Sequence, residues 1–239
     1  MKLAICLYGE FREFEYSVTS LPLWEKFNPD YYISTWDSTE QISDILDIKI
    51  VEEIDDSKIL KHIPNAKINL QNQRIVDGED NEGKLHHHWK TLVKMIKESY
   101  LTYDLIILRR IDSFVYDFKE QLFLNTDFEK NKIFLPDGIN YREQNSKMEP
   151  FIDDNLFIGK PETIIKFIES LPKQPMVTHF GIAKHLINLD IKIENINFCE
   201  YLVLRPTMRK YLTNNYEKNS YLLKEKGHDL DRSWCDNRN

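Results

Sequence analysis

The sequence predicts an α/β fold with a central, mostly parallel sheet flanked by helices, and three observations carry that expectation. Lys2 to Leu7 and Tyr103 to Leu108 are short, almost continuously apolar runs, as expected of strands covered on both faces. From His86 to Tyr100 the apolar residues Trp89, Leu92, Val93, Ile96 and Tyr100 recur at spacings of three and four, which places them on one face of a helix. The N-terminal order is strand, glycine-containing loop, helical spacing, strand: the opening of a βαβ unit with parallel strands and a right-handed crossover.

In chain order, the first strand is bounded by Gly9, and the apolar residues Phe11, Phe14 and Val18 then have helical spacing. Pro29 to Trp36 is rich in aromatic and β-branched residues and reads as a second strand. Residues 40–85 are polar and acidic, with Ile48 to Val51 expected as a third strand and Ala66 to Leu70 as a fourth. The stretch Asp77-Gly78-Glu79-Asp80-Asn81-Glu82-Gly83 carries no packing content and reads as a mobile surface loop. The helix 86–100 then feeds the strand Tyr103 to Arg110. Further strands are expected at Lys132 to Pro136, Leu156 to Gly159 and Phe198 to Leu204, with helices from Pro161 to Leu171 and Thr178 to Leu189. Pro161 suits a first helical turn. With no repeat, Gly/Ser linker or composition break, residues 1–239 read as one domain, with weak periodicity in a tail from about 207.

Composition narrows the function classes. A chain of 239 residues can bury a core without disulfide or metal staples. No apolar run approaches the roughly 20 residues of a membrane-spanning helix, and the N-terminal run is too short for a signal-peptide core. Three scattered cysteines, Cys6, Cys199 and Cys235, form no framework and fit a reducing, cytoplasmic compartment. The formal charge of -7 speaks against non-specific nucleic-acid binding. A local basic pocket for a phosphorylated ligand and peripheral membrane contact both stay open. The sequence has no GxGxxG, Walker A, HExxH or GxSxG motif, so dinucleotide-dependent, P-loop, zincin and α/β-hydrolase readings have little support.

Four segments carry candidate chemistry. Leu7-Tyr8-Gly9-Glu10-Phe11-Arg12 ends the first strand, where ligands bind in open α/β sheets. Gly9 allows close backbone approach, and Arg12 offers a planar fork for phosphate; a tight turn with a surface arginine is the alternative. Leu108-Arg109-Arg110-Ile111-Asp112 ends another strand. Asp112 could hold a divalent cation that neutralises a diphosphate, or Arg110 and Asp112 could form an ion pair at a strand end. In Asp153-Asp154-Asn155, adjacent carboxylates could provide a base for a hydroxyl, or the trio could be a turn. Thr178 reads as a helix N-cap with His179 at the helix start, where it could face a cleft. His86-His87-His88 read as surface histidines, because consecutive helical residues point in different directions.

In this order, the Gly-x-x-Arg turn, the strand Asp30 to Trp36, the segment Tyr103 to Asp112 and the Asp153-to-Gly159 element followed by a helix resemble a known family. They are similar to the small GT-A-type glycosyltransferases of bacterial surface-polysaccharide clusters and large DNA viruses, over about residues 1–190. The resemblance implies a Rossmann-like nucleotide-binding fold, a nucleoside-diphosphate sugar donor, a glycan or polysaccharide acceptor and usually Mn2+ or Mg2+. It places Tyr8, Gly9 and Arg12 against the nucleotide or diphosphate and sets Arg110 and Asp112 in the position of the Asp-x-Asp metal motif. The first acid of that motif is replaced here by Arg110. Either Asp112 holds the metal with fewer protein ligands, or Arg110 takes over part of the phosphate neutralisation. Asp153 or Asp154, with Asp154 preferred, corresponds to the acid near the acceptor, and His179 to a late pocket or metal contact. A catalytically silent nucleotide-sugar-binding module and a metal-dependent nuclease or phosphatase using Asp112, Asp153 and Asp154 are the competing expectations.

Overall fold

The computed structural model describes residues 1–11, 14–43, 48–72, 81–144, 146–172 and 178–203. Its elements run β1 (Leu3–Gly9), α1 (Phe14–Ser17), α2 (Pro22–Glu25), β2 (Asp30–Trp36), β3 (Ser38–Ser43), β4 (Ile48–Glu53), α3 (Asp56–Leu60), β5 (Lys67–Gln71) and α4 (Asn81–Glu98). They continue with β6 (Leu105–Arg110), β7 (Ser113–Tyr116), α5 (Glu120–Asn125), β8 (Lys132–Leu135), β9 (Asn140–Gln144) and β10 (Lys147–Phe151). The last are β11 (Leu156–Gly159), α6 (Pro161–Glu169), α7 (Thr178–Asn188), β12 (Lys192–Asn195) and β13 (Glu200–Val203).

Seven strands form the central sheet in the order β12-β8-β11-β6-β1-β2-β5. β1 is parallel to both β2 and β6, β2 to β5, and β8 to β12, while β11 runs antiparallel to β6 and β8. β11 is therefore the one reversed strand of the sheet. The expected α/β fold, with a central, mostly parallel sheet flanked by helices, is the fold observed.

The alternation of side chains along a strand divides the core into two layers. Leu3, Ile5 and Leu7 of β1 face one layer with Trp24, Ile59, Phe123 and Phe198. Ala4, Cys6 and Tyr8 face the other, with Trp89, Leu92, Phe157, Phe167 and Ile182. Both faces of β1 are thus covered, which is why its sequence is an unbroken apolar run. On α4, the predicted Trp89, Leu92, Val93 and Ile96 are all buried, whereas Tyr100, expected on the same face, lies beyond the helix end at Glu98 and is exposed. Each of the buried residues contributes about 1.5–3 kcal/mol of transfer free energy when fully removed from water.

Several expectations need correction. His86 and His88 are buried at 4% and 2% exposure, not surface residues, because the first half of α4 lies against the tip of β2. There His88 bonds Ser34 at 2.8 Å and packs against Trp36, while His86 stacks on Trp89. The spacing of residues 11, 14 and 18 yields only α1 and a 3-10 turn, Val18–Ser20, before Pro22 starts α2; a proline cannot continue a helix already under way. The strand at Ile48 is real, but it pairs with β3 in a hairpin outside the main sheet, so β5 is the third strand of that sheet in chain order. Of the expected loop 77–83, residues 81–83 open α4, and the rest lies outside the described residues. The final strand pairs with β7 rather than joining the sheet. The hairpin β9–β10 had no signal in the sequence reading, and the tail beyond 203 lies outside the described residues.

Among the described residues, no helix is long and apolar enough to cross a membrane.

Candidate functional site

The site follows from the strand order. β1 leaves toward β2 and β5 on one side, and the chain later returns to place β6 on the other. The carboxyl ends of β1 and β6 are therefore the switch point at which open α/β sheets bind ligands. Because β11 is reversed, the residues that precede it reach the same end of the sheet. Arg110 donates its backbone N–H to the Asn155 carbonyl at 2.9 Å, and Ile111 donates to the Tyr8 carbonyl at 2.8 Å. These bonds lock the tips of β1, β6 and β11 together.

Gly9 ends β1 at φ +106°, in the region open to glycine, and the space a Cβ would enter is empty to 4 Å. Its carbonyl accepts the Thr35 hydroxyl at 2.7 Å. Tyr8 is buried, and its hydroxyl donates to the Asp154 carbonyl. Burial, reinforced by the nearby Asp154 charge, raises the Tyr8 phenol well above its usual range, so it remains a donor.

Arg110 and Asp112 form a bidentate ion pair: Nε to Oδ1 and Nη2 to Oδ2, both at 2.8 Å. The Asp112 side chain is 2% exposed and that of Arg110 23%. Both carboxylate oxygens of Asp112 are thus engaged by the guanidinium, while the Arg110 side chain as a whole stays part-exposed. Burial works against the Arg110 charge, but the adjacent Asp112 outweighs it and holds the guanidinium protonated.

Asp153, Asp154 and His179 lie at the same end of the sheet. One ligand atom from each falls within 4.8 Å of the others. The Asp153 carboxylate accepts the Tyr201 hydroxyl and the Asn155 amide. His179 Nδ1 is 2.9 Å from the Ile152 carbonyl. A carbonyl can only accept, so Nδ1 carries a proton, and in the neutral ring Nε2 presents the lone pair. The imidazole stacks on Phe151 at 4.7 Å, and the Arg142 guanidinium lies 3.9 Å from the centre of that same ring. The hairpin β9–β10 thereby fixes the histidine ring. Burial raises the Asp154 carboxyl above the usual range; His179 and Arg110 pull it back and Asp153 pushes it up.

The structure therefore brings Tyr8, Gly9, Arg110, Asp112, Asp153, Asp154 and His179 to one end of the sheet. Arg12 lies outside the described residues. Tyr201 was not singled out from sequence, and Asn155 and Phe151 were given no role in the site. Tyr201 reaches Asp153 from a strand 48 positions away, a proximity that no local pattern encodes.

Fold and site define an α/β protein with a polar, mixed-charge site at the switch point of its mostly parallel central sheet. No protein-family model and no curated protein matches the sequence. Among solved structures, the chain is similar to the galactosyltransferase LgtC in complex with donor and acceptor sugar analogs, at 11% identity and TM-score 0.45, covering 82% of this chain and 73% of that one. An active-site mutant of LgtC matches at TM-score 0.46 with the same identity and coverage. The inositol-1-phosphate CTP transferase from T. maritima matches at 9% identity and TM-score 0.47, covering 92% of this chain and 98% of that one. At these identities and scores, none of the likenesses carries an activity across.

Proposed function

We propose that this protein is a glycosyltransferase that moves a sugar from a nucleoside-diphosphate sugar to a hydroxyl of a glycan or polysaccharide acceptor. The observation that supports this reading best is the meeting of a part-exposed arginine, Arg110, with the Asp153–Asp154–His179 group at the carboxyl ends of β1 and β6. A diphosphate sugar needs both a cationic end for its phosphates and an anionic end near the anomeric carbon and acceptor. Gly9 leaves room for a phosphate to approach the backbone, and Arg110 supplies charge-assisted donors to it. As the bond to the sugar breaks, negative charge grows on the departing diphosphate, and a preorganised cation stabilises that change. A divalent cation, when bound, would add to the same neutralisation.

In an inverting reaction, Asp154 would take the acceptor proton, with Asp153 held in place by Tyr201 and Asn155. In a retaining reaction no protein base is needed, and the two carboxylates are free to hold a cation.

The test is a thermal-shift and calorimetric screen against UDP, GDP, CMP and ADP sugars, with and without Mn2+, followed by assays of donor hydrolysis and transfer. A cognate donor should raise the melting temperature through ligand linkage. Arg110→Gln should weaken its binding about tenfold or more, the loss of one charge-assisted hydrogen bond. No stabilisation by any nucleotide sugar would overturn the reading.

One observation favours the silent binding module: the Arg110–Asp112 pair engages the carboxylate that the resemblance assigns to metal. That reading predicts donor binding with no turnover across an acceptor panel. The nuclease or phosphatase reading predicts Asp112, Asp153 and Asp154 gathered around metals. Among the described residues, the group with ligand spacing is Asp153, Asp154 and His179.

A further inference from the structure

We infer that a divalent cation binds this chain at Asp153, Asp154 and His179, on the loop before β11 and the first turn of α7, and that Asp112 at the tip of β6 is not a ligand. The two halves of this statement rest on separate observations. Asp112 is 1% exposed, and its negative charge is already matched by the two-bond pair with Arg110. Any cation placed there would also stand beside the guanidinium.

The second group has the chemistry of a cation site. It combines two carboxylates with an imidazole, all within 4.8 Å of one another. Ligands at about 2.1 Å from a six-coordinate ion lie about 3 Å apart when adjacent and about 4.2 Å apart across it, so a small inward movement of the side chains closes the site. His179 is set up as a ligand, because Ile152 holds the proton on Nδ1 and turns the Nε2 lone pair outward. Phe151 fixes the plane of the ring. Asp153 accepts one hydrogen bond on each oxygen, from Asn155 and Tyr201, which orients the carboxylate and leaves a further lone pair on each oxygen. The imidazole nitrogen makes the set a poorer match for Mg2+ or Ca2+, which favour all-oxygen sites, and opens it to transition-metal dications, for which Mn2+ is the probe.

The assignment itself stands on geometry; only its use, to face a diphosphate opposite Arg110, rests on the nucleotide-sugar reading above. It also selects between the branches of that reading. An Asp154 bound to a cation is not a free base, so the reaction is of the kind that needs no protein base.

The experiment is a titration of Mn2+ into the nucleotide-free full chain, followed by calorimetry and by the electron paramagnetic resonance of unbound Mn2+. One ion per chain is expected in the wild type. His179→Gln and Asp154→Asn should each weaken binding tenfold or more, while the neutral pair replacement Arg110→Gln/Asp112→Asn should leave it within threefold. If those variants fail to fold, histidine NMR of the wild type supplies the answer: substoichiometric Mn2+ should broaden the His179 ring signals before those of His62 and His185. Absence of Mn2+ binding, loss of binding in the Arg110/Asp112 double variant alone, or uniform broadening of all histidines overturns the assignment. Mn2+ binding without any nucleotide-sugar binding would keep the cation site and remove the glycosyltransferase reading; the reverse result would remove the site and keep the function.

Discussion

At the residue scale, burial decides what a side chain can be, and His88 shows it. Gln71 donates its amide to the Ser34 hydroxyl at 2.7 Å, so the Ser34 proton is free to point at His88 Nδ1, 2.8 Å away. The imidazole is then an acceptor on Nδ1 and must be neutral. Burial lowers its pKa to about 3, against 6.5 for an exposed histidine. Between these values the unfolded chain binds a proton that the folded chain refuses, so folding stability falls as the pH drops below 6.5. Urea melts at pH 7 and pH 5 should differ by about 2 kcal/mol from this group, and His88→Gln should remove that part of the difference. A pH slope unchanged in the variant would show that His88 is not the group responsible. None of this could be read from His86-His87-His88 as a string, because it depends on where Ser34 and Gln71 lie in space.

At the element scale, Arg109 ties β6 to the 3-10 turn Val18–Ser20 and to β7. It is fully buried, with Nε donating to Ser113 Oγ, Nη1 to Ser20 Oγ, and Nη2 to Ser17 Oγ and Ser20 Oγ, all at 3.2 Å, and Nη2 also to the Ser113 carbonyl. Burial lowers its pKa to about 10, so it stays charged at neutral pH. The serine hydroxyls do not depend on it for their own protons: Ser20 donates to the Ser17 carbonyl and Ser113 to the Arg110 carbonyl. The asymmetry gives an expected order. Ser20→Ala removes the one hydroxyl oxygen that accepts two hydrogen bonds from a buried cation and should cost about 2–3 kcal/mol. Arg109→Met removes the charge together with its demand and should cost less. Chemical denaturation of both variants checks the order; a larger loss in Arg109→Met would mean that the guanidinium is a net source of stability.

At the scale of the whole molecule, the central sheet and the hairpins around it differ in how they are held. β1 and β6 sit in the middle of the sheet with both faces covered, and their residues from Leu3 to Leu7 and Leu105 to Leu108 are at most 1% exposed. β9–β10 stands outside that sheet, with Tyr141 and Met148 exposed. Hydrogen exchange should therefore separate them. The β1 and β6 amides should exchange only through global unfolding, and those of β9–β10 at least about a hundredfold faster, through local opening. Comparable protection in both would show that the hairpin is part of the cooperative core. Because this hairpin carries Phe151, which stacks on His179, its opening would also loosen the proposed cation site.

The sequence by itself determined the main layers. Strands buried on both faces must be continuously apolar, and a helix with one buried face must repeat at three and four, so β1, β2, β6, β8, β11, α4, α6 and α7 were legible. It also marked Gly9, Arg110, Asp112, Asp153 and Asp154, because charged or flexible residues at strand ends break an apolar pattern, and His179 by its place at a helix start; Tyr8 was marked through the family resemblance. Only the tertiary structure decided how those residues are partnered. The reversal of β11 brings Asp153 and Asp154 to the tips of β1 and β6, and the choice of Arg110 for Asp112 leaves His179 to the other acids. Pairings of this kind join residues far apart in the chain, and nothing in local spacing encodes which of two nearby carboxylates a guanidinium will hold.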